Sequence, residues 1–351
     1  LLAAPTGRAA RRLSEVTRRK AGTIHRLLGY NFTDGGFIRD RKNPLETDAV
    51  IIDEASMVDT VLMYHLIDAV PLSAFLVMVG DVAQLPAIGP GNVLSDMIDS
   101  ARIPVFSLNK IFRQDKESAI VINAHKVRQG DFQVGAQRDI LDENGDFYFV
   151  EEQDPDRVAQ RIVQLCSREL PSKFDFDPIL DIQVLTPMHK GAVGTINLNY
   201  ILQKNLNRQP VVIEALGNAY KAGDKVMHLK NNYQKEVYNG DIGVVRGFDQ
   251  QKTELAVEYY GRIVHYDTSE LDQITIAYAI SVHKSQGSEY PAVIVPLVTQ
   301  HYVLLQRNLL YTAMTRGKKL VILIGTPKAL HIALKNDKPQ MRLTSLAGRL
   351  G

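Results

Sequence analysis

The sequence is poor in cysteine, in long apolar runs and in net charge. Cys166 is its only cysteine, which excludes an internal disulfide framework and suits a reducing, cytoplasmic setting. The longest apolar run, 292–298, contains Pro296. A membrane helix needs about 20 apolar residues, so no membrane span is expected. A formal charge of +2 over 351 residues says little about partners. Also missing is any Gly-x-x-x-x-Gly-Lys-Ser/Thr loop; Gly317-Lys318-Lys319 lacks both the first glycine and the hydroxyl. Without that loop there is neither the backbone N–H cradle nor the lysine that hold a triphosphate.

What is present is organised around Ala49-Val50-Ile51-Ile52-Asp53-Glu54. The apolar residues read as a buried strand, and two carboxylates follow at once. Ligands of open parallel sheets bind beyond the carboxyl ends of the strands. Asp53 would therefore hold Mg²⁺, directly or through water, because Mg²⁺ takes one or two carboxylates together with phosphate oxygens. Glu54 would polarise an attacking water. An ordinary acidic turn is the alternative. A second apolar run, 74–79, is read as another buried strand and ends in Gly80-Asp81-Val82-Ala83-Gln84. The Gln84 amide can donate to a phosphate oxygen and accept from water at once. Two buried strands with polar tips in succession are harder to attribute to chance than one.

The length suits two or three domains. Residues 1–26 hold seven basic side chains against the single acid Glu15, a pattern that suits a polyanion or a solvated helix face. A short strand, 1–4, leads through Pro5-Thr6-Gly7 into a basic helix, 8–20, with Ala9, Leu13 and Val16 inward. A helix start with Arg8 beside it is a good phosphate site. Thr23, His25 and Arg26 could touch a nucleic-acid backbone; equally, Thr23 could cap a helix. Residues 32–43 read as a loop or small hairpin, and 105–108 as a further strand. Strand and helix alternate to about 116, which indicates a doubly wound α/β domain. A second α/β unit follows, interrupted by short alternating runs within 219–267 that indicate a small inserted β-barrel. Residues 274–280 return to a strand, and the tail to Gly351 is expected to be mobile. The division is thus 1–116, then 117–218 with 268–351, then the insert 219–267.

Taken in order, Asp53-Glu54-Ala55-Ser56, Gly80-Asp81 with Gln84-Leu85-Pro86, Ile111-Phe112-Arg113-Gln114, Val282-His283-Lys284-Ser285-Gln286-Gly287-Ser288-Glu289 and Tyr311-Thr312-Ala313-Met314-Thr315-Arg316 resemble the successive motifs of superfamily 1B helicases. Ala4-Pro5-Thr6-Gly7-Arg8 with Thr23-Ile24-His25-Arg26 resembles the RecD branch, which includes the exodeoxyribonuclease V alpha subunit and stand-alone RecD-like helicases. The resemblance covers residues 1 to about 326. It implies two RecA-like domains with ATP in the cleft between them, an SH3-like barrel in the second, and 5′-to-3′ movement on single-stranded DNA in recombination or repair. It assigns Asp53 to Mg²⁺, Glu54 to the attacking water, Gln84, Arg113 and Arg316 to the γ-phosphate, and Glu289, with Gly287 nearby, to the nucleotide's ribose. A guanidinium meeting the developing phosphoryl charge is worth about 10³–10⁵ in rate, although either arginine could instead form a surface ion pair. It assigns Pro5, Thr6, Arg8, Thr23, His25, Arg26, Thr186, His189, Asn239, Ser281, His283, Lys284 and Gln286 to the DNA side.

The missing phosphate loop is the departure from that pattern. In the family it precedes the strand at Leu1, so the chain is expected to be a C-terminal fragment, poor at binding ATP and unable to hydrolyse it. A monomer acting on single strands and duplex junctions is expected, with other recombination subunits as further partners. No nuclease metal cluster is read. The rival readings are a non-catalytic DNA-binding or subunit-contact module, and an RNA or relaxase-associated helicase of the same superfamily.

Overall fold

The computed structural model describes residues 1–31, 35–108, 118–133, 145–337, 342 and 344–350. The chain divides into two compact units, Leu1–Ile111 with Lys338–Gly351, and Phe112–Asp337.

The first unit runs β1 (Leu2–Ala4), α1 (Gly7–Thr17), β2 (Ala21–Thr23), α2 (Ile24–Leu27), a hairpin of β3 (Tyr30–Asn31) and β4 (Gly36–Phe37), β5 (Ala49–Ile52), α3 (Thr60–Ala69), β6 (Phe75–Met78) and α4 (Val93–Asp99). Strands β2-β1-β5-β6 form a sheet that is parallel throughout. Ala3, Val50 and Ile52 share a core with Leu62 and Leu66 of α3 and Val93 of α4. The start of α3 is set by Asp59, whose carboxylate accepts the Leu62 N–H at 2.8 Å. Helix α1 presses Ala9 and Ala10 inward, and Ser14 Oγ accepts the Ala21 N–H at 2.8 Å, tying the helix to β2.

Three expectations change here. Val16 is exposed, because α1 buries its first turn, Gly7–Ala10, and not its last. Strand β6 is buried on one face alone: Leu76 and Met78 pack on the core, while Phe75 and Val77 are 76% and 45% exposed on an edge strand. Residues 105–108 form no strand; they pair with no described neighbour, and Phe106 and Leu108 are exposed.

The second unit runs α5 (Ala119–Gln129), β7 (Phe147–Glu151), α6 (Pro155–Gln164), α7 (Leu170–Phe174), β8 (Ile182–Thr186), α8 (Thr195–Leu206), β9 (Val211–Ala215), β10 (Asn218–Lys221), β11 (Lys225–His228), β12 (Ile242–Asp249), β13 (Glu254–Tyr259), β14 (Arg262–Asp267), β15 (Ile274–Ile276), β16 (Ala279–Ser281), β17 (Tyr290–Leu297), α9 (Arg307–Met314), β18 (Gly317–Gly325) and α10 (Pro327–Lys335). Its main sheet, β16-β8-β17-β18-β7, is again all parallel, and its central strands are apolar and buried. Inserted in it is the antiparallel sheet β14-β13-β12-β11-β15, with the β9–β10 hairpin beside it. The insert reaches past both expected edges. The single strand read at 274–280 is in fact two: Ile274–Ile276 pairs with β11 in the insert, and Ala279–Ser281 with β8 in the main sheet.

A buried polar hub joins insert to sheet. Asp224 accepts from Asn207 Nδ2 (2.7 Å), the Tyr278 hydroxyl (2.9 Å), Gln203 Nε2 (2.6 Å) and the Lys221 N–H (2.7 Å). The buried Lys225 ammonium donates to the Ile182 carbonyl at 3.0 Å, and Gln183 Nε2 donates to the Ala277 and Tyr278 carbonyls. Buried charges persist where hydrogen bonds replace lost water.

The chain ends in α11 (Leu346–Leu350). The described tail packs on the first unit and not on the second, with which it was expected to fold. Leu346 joins the first unit's core, and Thr344 Oγ1 donates to Asp96 Oδ2 at 2.7 Å.

His228, at the end of β11, is fully buried with its Nδ1 3.0 Å from the Tyr266 hydroxyl. Burial, aided by Lys235, pushes its pKa down to about 4 from an ordinary 6.5. Burial does the same to His301, also to about 4. The unfolded chain takes up these protons near the ordinary value and the folded chain does so only near 4, so stability is complete above that window and is lost as pH falls through it. Urea unfolding followed from neutral pH into acid should show the midpoint falling, and H228Q should make the fall shallower; an unchanged slope would remove His228 from this account.

Candidate active site

The first half of the site rests on adjacent parallel strands. The Val79 N–H donates to the Ile52 carbonyl and the Ala55 N–H to the Val79 carbonyl, both at 2.8 Å. Through Val79 the segment after β5, with Asp53 and Glu54, is clamped to the segment after β6, with Asp81 and Gln84. On the other side the Asp53 N–H donates to the Ala3 carbonyl at 2.9 Å. Gly80 makes the clamp sterically possible. A Cβ there would stand 2.8 Å from Leu94 Cδ2 and 2.9 Å from the Ser56 nitrogen.

All four polar side chains are half-buried. Asp53 Oδ1 accepts the Glu54 N–H at 2.9 Å. Glu54 sits in the left-handed region at φ 51°, a conformation costly for a residue with a side chain and concentrated at functional sites. Asp81 spends its Oδ1 on the Ala83 N–H at 3.0 Å, and Gln84 Nε2 is 3.5 Å from its Oδ2. Asp81 thus shapes the turn that presents Gln84. Arg113 lies outside the described residues.

The DNA-side candidates of this unit are held by local structure. Thr6 caps α1 by accepting the Ala9 N–H at 3.3 Å, and Thr23 caps α2 by accepting the Arg26 N–H at 3.1 Å. Arg8 is buried and Pro5 half-buried. His25 stands edge-on to Tyr30 with ring centroids 5.7 Å apart; burial lowers its pKa, against an opposing pull from Asp59.

In the second unit two groups form. Thr186 and Ser281 are register partners at the ends of β8 and β16. Thr186 Oγ1 donates to the Val193 carbonyl at 2.7 Å, His189 Nδ1 lies 3.0 Å from Thr195 Oγ1, and Ser281 Oγ accepts the Lys284 N–H at 3.3 Å. His283 and Lys284 are exposed, yet their surroundings still desolvate them and lower both pKa values, with His189 a smaller second cause for His283. Gln286 is buried beside them, whereas Asn239 sits apart on an exposed turn of the insert.

The second group gathers Gly287, Glu289 and Arg316. The Tyr290 N–H donates to the Arg316 carbonyl at 2.8 Å, and Arg316 Nη1 donates to the Ser288 carbonyl at 3.2 Å. The guanidinium is buried, with Nε on the Thr312 carbonyl at 3.2 Å. Glu289 is not a bare acceptor: Lys318 Nζ stands 3.1 Å from its carboxylate. Spacing gave no sign of that pairing, nor of Thr195 as the partner of His189.

Two parallel, helix-flanked sheets, each carrying polar loops at strand ends, with an antiparallel insert in the second, have the layout of the RecA-like helicase fold. The AAA domain family matches residues 1–152, the ATP-dependent RecD-like DNA helicase SH3 domain residues 198–259, and the UvrD-like helicase C-terminal domain residues 276–324. The chain is 36% identical to the ATP-dependent RecD2 DNA helicase of Deinococcus radiodurans, over 99% of its own length and 46% of that protein's. It is 31% identical to the RecBCD enzyme subunit RecD of Mycobacterium tuberculosis, over 95% and 61%. The chain therefore spans about half the length of these relatives. Among solved structures, Pif1 helicase from Bacteroides in complex with ADP-AlF3 and ssDNA superposes with a TM-score of 0.55 at 18% identity, covering 97% of this chain and 84% of that one. Pif1 helicase from Candida albicans does so with 0.55 at 17%, covering 99% and 88%. Over nearly its whole length the chain is related to the RecD-like helicases.

Gly80→Ala tests the clamp. Overpacking of this kind costs about 1–3 kcal/mol, so G80A should lower the urea midpoint of the first unit, whereas Gly36→Ala, where a Cβ meets nothing within 4 Å and φ is not left-handed, should change stability by no more than about 0.5 kcal/mol. Equal losses at the two positions would argue against a tight approach at Gly80.

Proposed function

We propose that this chain forms part of the motor core of an ATP-dependent DNA helicase that translocates 5′ to 3′ along single-stranded DNA in recombination or repair, in the cytoplasm. The observation that carries the reading is the clamp that sets Asp53 and Glu54 beside the Gln84 turn at one sheet end. Asp53, a half-buried hard-oxygen donor, fits Mg²⁺, which takes one or two carboxylates together with phosphate and water oxygens. The ion, when bound, supplies charge neutralisation between phosphates.

Glu54 orients and polarises the attacking water and Gln84 contacts the γ-phosphate; Arg113 and Arg316 keep the γ-phosphate role that family likeness alone gives them. Glu289 accepts from the ribose hydroxyl after exchanging Lys318 for it. Thr186, His189, Ser281, His283, Lys284 and Gln286 hold the DNA backbone in the second unit, with Asn239 on the insert. Pro5, Thr6, Arg8, Thr23, His25 and Arg26 do so in the first. Support comes from the relatives' names, RecD2 DNA helicase and RecBCD subunit, and from a structural neighbour crystallised with ssDNA. Polarity rests on family likeness alone.

Contacts to phosphates release counterions, so affinity for single-stranded DNA should fall as salt rises, with a slope of about −0.7 per phosphate neutralised. Anisotropy titrations of a fluorescent oligonucleotide should show Lys284→Ala making that slope shallower by about 0.7, equally for unrelated sequences. Binding that ignores salt would refute the DNA-side assignment. Because the sequence holds no phosphate loop, these residues alone should hydrolyse no ATP; a robust DNA-stimulated rate would show that the triphosphate is held in another way.

A further inference from the structure

The loop from Pro86 to Asn92 links the Gln84 turn to α4, and its backbone is satisfied in an unusual way. The Ala87 N–H donates to the Ser56 carbonyl at 3.0 Å, and the Thr60 N–H to the Pro90 carbonyl at 2.9 Å. The loop therefore lies on the segment that follows Glu54. Its glycines permit that approach: a Cβ on Gly89 would stand 1.9 Å from Asp59 Oδ2, and one on Gly91, at φ +90°, 1.9 Å from Thr60 Oγ1. Three alternate carbonyls, those of Ala87, Gly89 and Gly91, all accept from one guanidinium. Arg342 Nη1 donates to Gly91 at 2.7 Å and to Gly89, and Nη2 donates to Ala87. That guanidinium arrives from 251 residues away in sequence. The tail that carries it is pinned again by Thr344 on Asp96 of α4 and by Leu346 in the core.

We propose that the C-terminal segment is a strap and that Arg342 is a positioning residue for the Gln84 turn, a role that rests on the γ-phosphate contact assigned to Gln84 above. Only arginine offers a planar fork of five N–H donors that can serve three carbonyls from one side chain. The loop has no ladder of its own, so the fork supplies to its carbonyls the N–H donors that a strand neighbour would otherwise supply. Arg342 touches neither reacting group; it acts through the loop. By holding residues 87–91 against Ser56 and Thr60 it keeps the segment after Asp53-Glu54 and the Gln84 turn in one register.

Amide hydrogen exchange of the 351-residue chain, read by mass spectrometry without nucleotide, tests the strap. Hydrogen bonds to charged donors contribute about 1.5–3 kcal/mol, so Arg342→Ala should speed exchange in peptides spanning 81–92 by about ten- to a hundredfold, with β1 and β5 unchanged. Arg342→Lys should recover part of the protection, because one ammonium meets fewer carbonyls. Thr344→Ala should leave 81–92 as in the parent, since it loosens the tail at Asp96 without removing the fork. Unchanged exchange at 81–92 in R342A, an equal rise throughout the first unit, or the same local rise in T344A would overturn the proposal; should R342A not fold, R342K against T344A decides. The readout needs no nucleotide. Failure here would leave the ATP reading standing, and failure of the ATP reading would leave the exchange pattern as it is.

Discussion

The pair of main-chain hydrogen bonds made by Val79, to Ile52 on one side and from Ala55 on the other, is the constraint on which the first unit's chemistry depends. A parallel ladder aligns strand ends, so side chains that follow β5 and β6 emerge at the same edge of the sheet. Without the ladder, Asp53-Glu54 and Gln84 are two unrelated polar turns. With it, an acidic pair and an amide share one location, and the left-handed Glu54 is held there by bonds on both sides. Gly80 and the Gly89–Gly91 loop are the steric conditions of that closeness.

The second unit solves a different problem. An antiparallel insert must stay attached to a parallel sheet through a short junction. Asp224, Lys225, Gln183, Asn207 and Tyr278 do this with buried polar groups that hydrogen-bond across the junction. Such networks are costly when broken, because the remaining partner is left desolvated and unpaired. The insert is thereby joined to the same strands, β8 and β16, whose ends carry Thr186, His189, Ser281 and His283. Arg316 and the Gly287–Glu289 loop are tied together in turn by the Tyr290 and Ser288 backbone bonds.

Much of this was legible in one dimension where the signal is local. The apolar run before Asp53-Glu54 marked β5, short alternating runs marked the insert, and Thr23 stood where a helix cap stands. Failures occurred where burial is decided by neighbours far away in sequence. Apolarity alone does not reveal that β6 lies at an edge, that residues 105–108 find no partner, or that 274–280 serves two sheets. Val16 followed the helical period and still faces solvent, because the period gives a stripe and not the element that covers it.

The sequence by itself determined the chemical inventory and its order: which carboxylates, amides and guanidinia exist, and which family their order resembles. Those are properties of residue type and short spacing, which no folding can alter. The tertiary structure alone decided the pairings: Lys318 on Glu289, Thr195 on His189, and Arg342 on three carbonyls of a loop some two hundred and fifty residues earlier. Contacts of that separation leave no periodic trace in the chain, because their existence depends on how elements stack rather than on what any stretch of residues prefers.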